Sequence, residues 1–211
     1  MARTSGPGTR EKLIRAAEEI FAAQGVDGAQ LRDVVRLAGQ SNPSAVQYHF
    51  GSRAGLLDAV MAQRQERTER VLAANSADCP DSVRELIGAL VAAEATELAT
   101  DRGRRCLLIS AQLSHESGVR TGTPHPTLAG TAYWRLIERV GAALAASPAP
   151  LPGPLRLERL DLALTLIGAA LSDRARQYLA GATPLTDEDV FLADLVETTT
   201  ALLGAPHAPA A

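Results

Sequence analysis

The chain has 211 residues, of which 46% are hydrophobic and only 3% aromatic, and its net charge is −3. This length allows a small domain joined to a medium one, and a core rich in leucine, alanine and valine favours helices over sheets. No apolar run approaches the roughly 20 residues that span a bilayer, and the N-terminus lacks the apolar stretch of a secretion signal, so we expect a cytoplasmic protein without a membrane segment.

Charge is distributed unevenly along the chain. Residues 1–70 carry ten basic and eight acidic side chains, whereas residues 71–211 carry eleven basic and sixteen acidic ones. A slightly basic N-terminal part followed by an acidic remainder is typical of a protein whose N-terminal part faces nucleic acid.

Apolar residues at helical spacing predict three helices in the N-terminal part of the chain. The first begins near Thr9 and ends at Gly25, the second covers 31–38 and the third covers 43–50. Pro43 suits the first turn of the third helix, because a helix leaves the N–H of that position without a partner in any case.

The remainder of the chain is predicted to be helical as well. Ser52 is a candidate cap for a fourth helix that extends to Asn75 and joins the two parts of the chain. The later helices, separated by clusters of glycine and proline, are predicted near residues 81–100, 102–117, 126–146, 154–180 and 187–204. The expected fold is therefore all-α with about nine helices, in which a three-helix domain at 9–55 precedes a larger helical bundle at 56–204 and a disordered tail at 205–211.

The second and third helices with the tight turn between them form a candidate helix-turn-helix unit at 31–50. In such a unit the second helix lies in the major groove of DNA and the first braces it across the backbone. Uncharged polar residues occupy the turn and the face of the third helix that lies opposite Val46 and Phe50, namely Ser41, Asn42, Ser44, Gln47 and Tyr48. Asparagine and glutamine can pair with adenine, and serine can bond to phosphate or base edges, so this pattern is consistent with DNA binding. A plain helical hairpin is the alternative.

Residues 9–61 resemble the N-terminal domain of the TetR family of transcriptional regulators. The resemblance rests on the segments TREKLIRAAEEIFAAQG, LRDVVRLAG and AVQYHFGSRAGLL. The last is the most specific, because family members typically show Tyr, an aromatic residue or His, and then Phe at the end of the recognition helix, followed by Ser-Lys or Ser-Arg at the start of helix 4.

The resemblance implies particular DNA contacts. Tyr48 matches the family tyrosine whose hydroxyl reaches a backbone phosphate, and Arg53 matches the basic residue at the start of helix 4 that also contacts phosphate. His49 and Arg32 match positions that approach the DNA backbone. A partly buried aromatic at position 48 and a histidine that packs at the helix end remain the alternatives for Tyr48 and His49.

The sequence departs from the family pattern at the start of helix 2 and in the turn. Ala29 and Gln30 stand where the family usually has a threonine or serine that caps helix 2. Gln40 replaces the valine of the usual Ala-Gly-Val turn, and the stretch from 38 to 50 is one residue longer than in most members. The register of base contacts within 41–47 therefore stays open.

For the larger domain, the resemblance implies a homodimer and a small-molecule effector. The helices near 154–180 and 187–204 would form a four-helix interface between two copies, the alternative being that both are buried within one chain. The other helices would enclose a ligand cavity, whose candidate polar lining consists of Gln112, His115, Tyr133, Trp134 and Tyr178. For Gln112 and His115, which share a helix face, a satisfied structural pair is the alternative.

The chain shows no GxSxG, phosphate-loop, HExxH or paired-cysteine motif, so we expect no enzyme activity, cofactor or metal site. The predicted function is a DNA-binding, ligand-responsive repressor that binds a palindromic operator as a dimer and is released when a small molecule shifts helix 4. The alternative is a helical protein-interaction module without specific DNA binding.

Overall fold

The computed structural model describes residues 7–42, 44–75, 82–113, 117–148 and 150–207. Within these ranges all regular structure is helical, which confirms the all-α prediction. Short 3-10 turns lie at Thr96–Ala99 and Val119–Thr121. The nine α-helices are α1 (Pro7–Gln24), α2 (Leu31–Leu37), α3 (Ala45–Phe50), α4 (Arg53–Asn75), α5 (Val83–Ala95), α6 (Asp101–Leu113), α7 (Ala132–Ala145), α8 (Gly153–Leu179) and α9 (Glu188–Gly204).

The largest boundary error concerns α7, which was predicted over 126–146 but begins at Ala132. Gly130 has a φ of 72°, in the left-handed region that favours glycine, so the chain turns there instead of continuing as a helix. The hydroxyl of Thr131 then accepts a hydrogen bond from the N–H of Trp134 at 3.1 Å and caps the helix.

Other helix ends differ by a few residues. The helix predicted over 102–117 ends at Leu113, and 114–116 lie outside the described residues. The first helix begins at Pro7, two residues before the predicted cap, and α3 begins at Ala45, with Pro43 outside the described residues.

Two clusters of buried apolar residues form the core. The cluster in the larger part of the chain draws on all helices from α4 to α9 and on both 3-10 turns. The N-terminal cluster contains residues of α1, α2 and α3, together with Leu56 and Val60 of α4 and Ile109 of α6. The N-terminal helices therefore pack around residues that lie beyond position 55, and α4 and α6 connect the two parts of the molecule.

The chain after α9 lies against α8. The Arg159 guanidinium donates hydrogen bonds to the carbonyls of Leu203, Ala205 and Pro206. The beginning of the predicted tail, 205–207, is thus attached to the bundle, while 208–211 lie outside the described residues. In the described part of the chain, no helix combines the length and apolarity that crossing a membrane requires.

Candidate nucleic-acid interface and ligand cavity

The turn between α2 and α3 is closed by its own backbone. Gly39, with a φ of 66°, lets the chain leave α2 in the left-handed conformation, and its N–H donates to the Arg36 carbonyl at 3.0 Å. The side-chain oxygen of Asn42 accepts the N–H of Ser44 at 2.9 Å, and the Asn42 carbonyl accepts the N–H of Ala45 at 3.1 Å. Asn42 therefore sets the direction in which α3 begins.

The short helix α3 has one buried and one exposed face. Ala45 and Val46 are buried against the N-terminal core. On the other side Gln47 is exposed and Tyr48 is 74% exposed, which is unusual for so large an aromatic residue. Six of the eight predicted DNA-binding residues are exposed: Arg32, Ser41, Asn42, Ser44, Gln47 and Tyr48.

His49 is half-buried and packs against its neighbours. Its ring lies 4.9 Å from that of Tyr48 in an edge-to-face arrangement and 6.2 Å from that of Phe50. The guanidinium of Arg10 on α1 lies 5.1 Å from the Phe50 ring centre. Arg10 is exposed and was not predicted as a site residue, because no periodicity in the sequence relates α1 to the end of α3.

Arg53, predicted to contact phosphate, makes its hydrogen bonds with the protein backbone in this structure. Its guanidinium donates to the carbonyls of Val26 and Ala29 and lies 5.4 Å from the centre of the Phe21 ring. The N-terminus of α4 is capped by Ser52, as predicted, since its hydroxyl accepts the N–H of Gly55 at 3.0 Å. In this structure Arg53 therefore fastens the α1–α2 connection to α4, and its hydrogen bonds stay within the protein.

The N-terminus of α2 lacks a side-chain cap, as its sequence predicts. Gln30 occupies the cap position with extended backbone but makes no side-chain cap hydrogen bond. Asp33 supplies a negative charge in the first turn and pairs with Arg36 at 2.9 Å. The helix dipole is thus partly compensated although the hydroxyl cap is missing.

A cavity of about 420 Å³ lies in the larger part of the molecule. It is lined by α4, α5, α6, α7, α8 and the connection before α7. Most of its lining is apolar, and includes Leu57, Met61, Leu113, Leu128 and Leu164. The polar lining includes Arg64, Glu94, Ser110, His125 and Tyr133.

Of the predicted ligand-binding residues that the structure describes, only Tyr133 lines this cavity. Gln112 accepts a hydrogen bond from the N–H of Val26 at 2.8 Å. The Trp134 indole donates to Glu138 at 2.8 Å, and the Tyr178 hydroxyl donates to Glu188 at 2.9 Å. His115 lies outside the described residues.

Two charged residues that the sequence reasoning missed form a buried ion pair at the cavity. Arg64 on α4 and Glu94 on α5 are only 8% and 6% exposed, and their side chains are bonded to each other. Arg64 Nε and Glu94 Oε1 have no hydrogen-bond partner among the described residues. Burial raises the pKa of the Glu94 carboxyl above its ordinary value, although the Arg64 charge opposes the rise, and burial also raises the pKa of Tyr133.

The helical spacing of the sequence nevertheless contained a signal that these two charged residues are buried. Arg64 follows Leu57 and Val60 at helical spacing, and Glu94 follows Leu90 and Val91 in the same way. A charge at an apolar position of a helix predicts a buried and paired group, and such groups cluster at functional sites.

The C-terminal half of α4 is bonded to the helices around the cavity. Arg67 makes two hydrogen bonds of 2.7 Å with the buried Glu97. The Glu69 carboxylate accepts the backbone N–H groups of Ala132 at 2.6 Å and Tyr133 at 2.9 Å. Because these N–H groups begin α7, Glu69 caps the helix that carries the cavity-lining Tyr133.

The helix α6 connects the cavity with the N-terminal domain by a second route. Leu113 lines the cavity, while Ile109 is buried in the N-terminal core. Arg102 donates to the buried Glu18 of α1 at 2.8 and 2.9 Å. Together with the bond from Val26 to Gln112, these contacts bind α6 to α1 and to the start of the α1–α2 connection.

A helix-turn-helix unit of the kind that α2 and α3 form is a DNA-binding element in many regulators. Residues 13–60 match the sequence profile of the family described as bacterial regulatory proteins, tetR family. This segment is therefore similar to the N-terminal domain of the TetR family, as the sequence motifs predicted.

Two relatives from Pseudomonas putida match part of the chain. The HTH-type transcriptional regulator SrpR and the uncharacterized HTH-type transcriptional regulator TtgW are each 44% identical over 61 residues, or 29% of this chain. The match spans 28% of SrpR and 45% of TtgW, which is less than half of either relative.

Solved structures share the fold over nearly the whole chain. The fatty acid degradation regulator FadR from Bacillus halodurans is 17% identical with a TM-score of 0.59, covering 96% of this chain and 98% of its own. A TetR-family regulatory protein from Rhodococcus RHA1 is 19% identical with a TM-score of 0.56, covering 94% of this chain and 98% of its own. At sequence identities this low, the similarity shows a shared fold.

Proposed function

We propose that the protein is a transcriptional regulator that binds a palindromic DNA operator as a homodimer and releases it when a small molecule enters the cavity. The observation that carries the proposal is the exposed polar face of α3, which includes Gln47 and Tyr48, in a domain of the TetR family. An α-helix placed in this way enters the major groove, where such side chains reach base edges and phosphates.

The proposed DNA contacts fall into two groups. Ser41, Asn42, Ser44 and Gln47 are exposed at the start of α3 and would read base edges or bond to nearby phosphates. The second group, Arg32, Tyr48 and His49, would contact the DNA backbone, and the exposed guanidinium of Arg10 is a further candidate of this kind. Arg53 supports the interface indirectly, because it holds the α1–α2 connection against α4.

The proposed homodimer forms through α8 and α9. Leu162 on α8 and Val190 on α9 are 52% and 57% exposed, although both helices also bury apolar residues in the core of the chain. A helix that is apolar on more than one face favours a partner on the second face. Two copies would place their recognition helices over half-sites about 34 Å apart, or a multiple of that spacing.

The proposed release mechanism acts through α4 and α6. Both helices serve the cavity and the N-terminal core along the same stretch. Leu57, Met61 and Leu113 line the cavity, while the neighbouring Leu56, Val60 and Ile109 lie in the N-terminal core. A ligand that binds more tightly to one arrangement of these helices than to the other shifts the population between them. In the proposed mechanism the favoured arrangement changes the distance between the two recognition helices and lowers operator affinity.

The experiment that tests DNA binding is selection of bound duplexes from a random pool by the purified full-length protein. We expect enrichment of a palindromic sequence, which demonstrates specific binding and two-fold symmetry together. A matched selection with the double variant Gln47→Ala/Tyr48→Ala, both at exposed positions, should enrich nothing. If the unaltered protein retains no DNA even at low salt, the proposal fails and a protein-interaction module is the remaining interpretation.

A further inference from the structure

The α1–α2 connection contains a turn at 25–29 that is held from two sides. The N–H of Val26 donates to the side-chain oxygen of Gln112 on α6 at 2.8 Å. The carbonyls of Val26 and Ala29 accept hydrogen bonds from the guanidinium of Arg53 on α4. Within the turn, the N–H of its last residue donates to the carbonyl of its first at 3.1 Å. The two helices that line both the cavity and the N-terminal core therefore hold the same compact turn.

Gln112 lies in the part of α6 that meets the cavity. Its neighbours in the last turn of the helix line the cavity, namely Ser110, Ala111 and Leu113. The side-chain amide of Gln112 also donates to the carbonyl of Leu108 at 2.9 Å, and this second bond orients the oxygen that accepts the N–H of Val26. A ligand in the cavity therefore contacts the same helical turn that holds the α1–α2 connection.

The position of α2 depends on the turn at 25–29. Gln30 occupies the cap position of α2 and makes no side-chain cap hydrogen bond. A helix that lacks such a bond is less firmly fixed at its N-terminus by its own sequence, and the segment before it matters more. A displacement of the turn is therefore passed to the start of the helix-turn-helix unit.

We infer that Gln112 is the positioning residue through which the cavity acts on the helix-turn-helix unit. The inference rests on the proposed function, in which a molecule in the cavity lowers operator affinity. When the last turn of α6 shifts relative to α4, the bond to Gln112 draws the main chain at Val26 with it. Arg53 keeps the carbonyl side of the turn on α4, so the turn tilts between the two helices and α2 follows.

α6 also contacts the N-terminal domain by packing. Ile109 is buried in the N-terminal core and Leu113 packs against it. Apolar contacts of this kind are not directional, whereas a hydrogen bond weakens steeply when its angle or length departs from the preferred geometry. The bond from Val26 to Gln112 also ends on the main chain, so it transmits a shift to the backbone of the connection.

Because the effector is unidentified, the experiment fills the cavity with a side chain of the protein itself. Gly168 on α8 lines the cavity, and a Cβ placed on it meets nothing within 4 Å. Gly168→Leu extends an aliphatic side chain into this space. Gly168→Ala is the matched control, because it also removes a helical glycine but adds only one methyl group.

Operator affinity of the full-length variants is measured by fluorescence anisotropy on the palindrome that the unaltered protein selects. With Gln112 in place, we expect Gly168→Leu to bind about fivefold more weakly than Gly168→Ala, which is the scale of one hydrogen bond. In the Gln112→Leu background the same comparison should give less than about a twofold difference. Gln112 is exposed, so its substitution leaves the core intact.

Two further variants show that the bond, and not the change of residue, carries the effect. Gln112→Glu keeps an oxygen that can accept the N–H of Val26, and it should restore the fivefold difference. Gln24→Leu makes the same chemical change at an exposed glutamine at the end of α1, and it should leave the difference intact.

The outcomes separate this inference from the proposed function. An equal loss of operator affinity with and without Gln112→Leu overturns the inference, because packing then carries the signal, while release by a ligand stands. If Gly168→Leu binds as tightly as Gly168→Ala, the inference and the release mechanism both fail, while specific DNA binding is decided by the selection. A rise in affinity that Gln112→Leu abolishes contradicts release but supports the role of Gln112.

Amide exchange measured by NMR tests the bond without DNA. The N–H of Val26 should exchange at least about fivefold faster in Gln112→Leu than in the unaltered protein, because it loses its acceptor. Equal exchange rates would show that the bond does not form in solution. The inference would then fail, whether or not the protein binds an operator.

Discussion

The two ends of α4 are held by different forces. At the N-terminal end Leu56 and Val60 are completely buried in an apolar core shared with α1, α2 and α3. At the C-terminal end Arg64 and Arg67 pair with buried glutamates, and Glu69 caps α7. The N-terminal end therefore depends on close packing, which is not directional, while the rest of the helix combines the packing of Leu72 with polar bonds of defined geometry.

Apolar packing and polar bonds respond differently to a change in their surroundings. A packed apolar core resists small rearrangements, because moving one side chain opens a void or a clash. A polar network exchanges partners when a new donor or acceptor arrives, provided that every buried group stays satisfied. α4 thus packs in the N-terminal core with Leu56 and Val60 and lines the cavity with Leu57, Met61 and Arg64.

The largest effect is expected from breaking the polar end on one side only. Glu94→Leu leaves the Arg64 charge buried without its partner, and we expect the free energy of unfolding to fall by about 4 kcal/mol. The double variant Arg64→Met/Glu94→Leu should stay within about 1 kcal/mol of the unaltered protein. Urea unfolding followed by circular dichroism measures both, and a double variant as unstable as the single one would contradict this account of the pair.

Because of the same pair, we expect the free energy of unfolding to depend on pH. Because burial raises the pKa of Glu94, the folded state retains this proton at pH values where the unfolded chain has lost it. The stabilising contribution of Glu94 is therefore complete below its ordinary pKa and is lost as the pH rises through the raised value. The double variant lacks this loss, so its stability relative to the unaltered protein should increase with pH across that range.

A smaller effect is expected at the apolar end. Leu56→Ala removes a fully buried side chain from the N-terminal core and should lower the free energy of unfolding by about 3 kcal/mol through lost contacts and the cavity left behind. The neighbouring Ala54→Ser, at an exposed position of the same helix, is the control and should change stability little. The Leu56→Ala loss should be nearly independent of pH, in contrast to that of the Glu94 pair.

The N-terminal end of the molecule is also the more predictable from sequence. Each of its helices α1, α2 and α3 is followed by a glycine that ends it, and local spacing alone divides α3 into buried Val46 and exposed Gln47 and Tyr48. The direction of Arg53 was the exception. Its carbonyl partners, Val26 and Ala29, lie 27 and 24 residues away, and no local pattern indicates such contacts.

Which residues line the cavity depends on contacts between helices that are far apart in the sequence, so residue spacing does not predict them. Polar residues such as Gln112, Trp134 and Tyr178 lie in apolar segments, but each is satisfied by a partner outside the cavity. The residues that face it come from five helices and a connection, and their convergence is a property of the tertiary fold. Two kinds of signal were present in the sequence: Tyr133, a polar residue in an apolar segment, and the charges at apolar positions, Arg64 and Glu94.

Arg53 provides the next test of the comparison. If it fastens the α1–α2 connection, Arg53→Met should lower the free energy of unfolding by about 1.5 kcal/mol, because two carbonyl groups lose their charged donor. The affinity for the selected operator and its salt dependence should change little in the fraction that remains folded. A shallower salt dependence with unchanged stability would instead show that Arg53 contacts phosphate, as the sequence had predicted.

The smallest effect is expected at the exposed surface of the N-terminal end. Tyr48→Phe removes only a hydroxyl group from a side chain that is 74% exposed, so the free energy of unfolding should be unchanged. If the hydroxyl bonds to a phosphate, affinity should fall about fivefold, or ~1 kcal/mol, and by the same factor for operator and unrelated duplexes, as measured by fluorescence anisotropy. Gln47→Ala on the adjacent exposed position should instead alter base preference at one operator position. A shift in base preference for Tyr48→Phe would mean that the tyrosine contacts a base edge and not a phosphate. In that case α3 would lie deeper in the major groove than we propose.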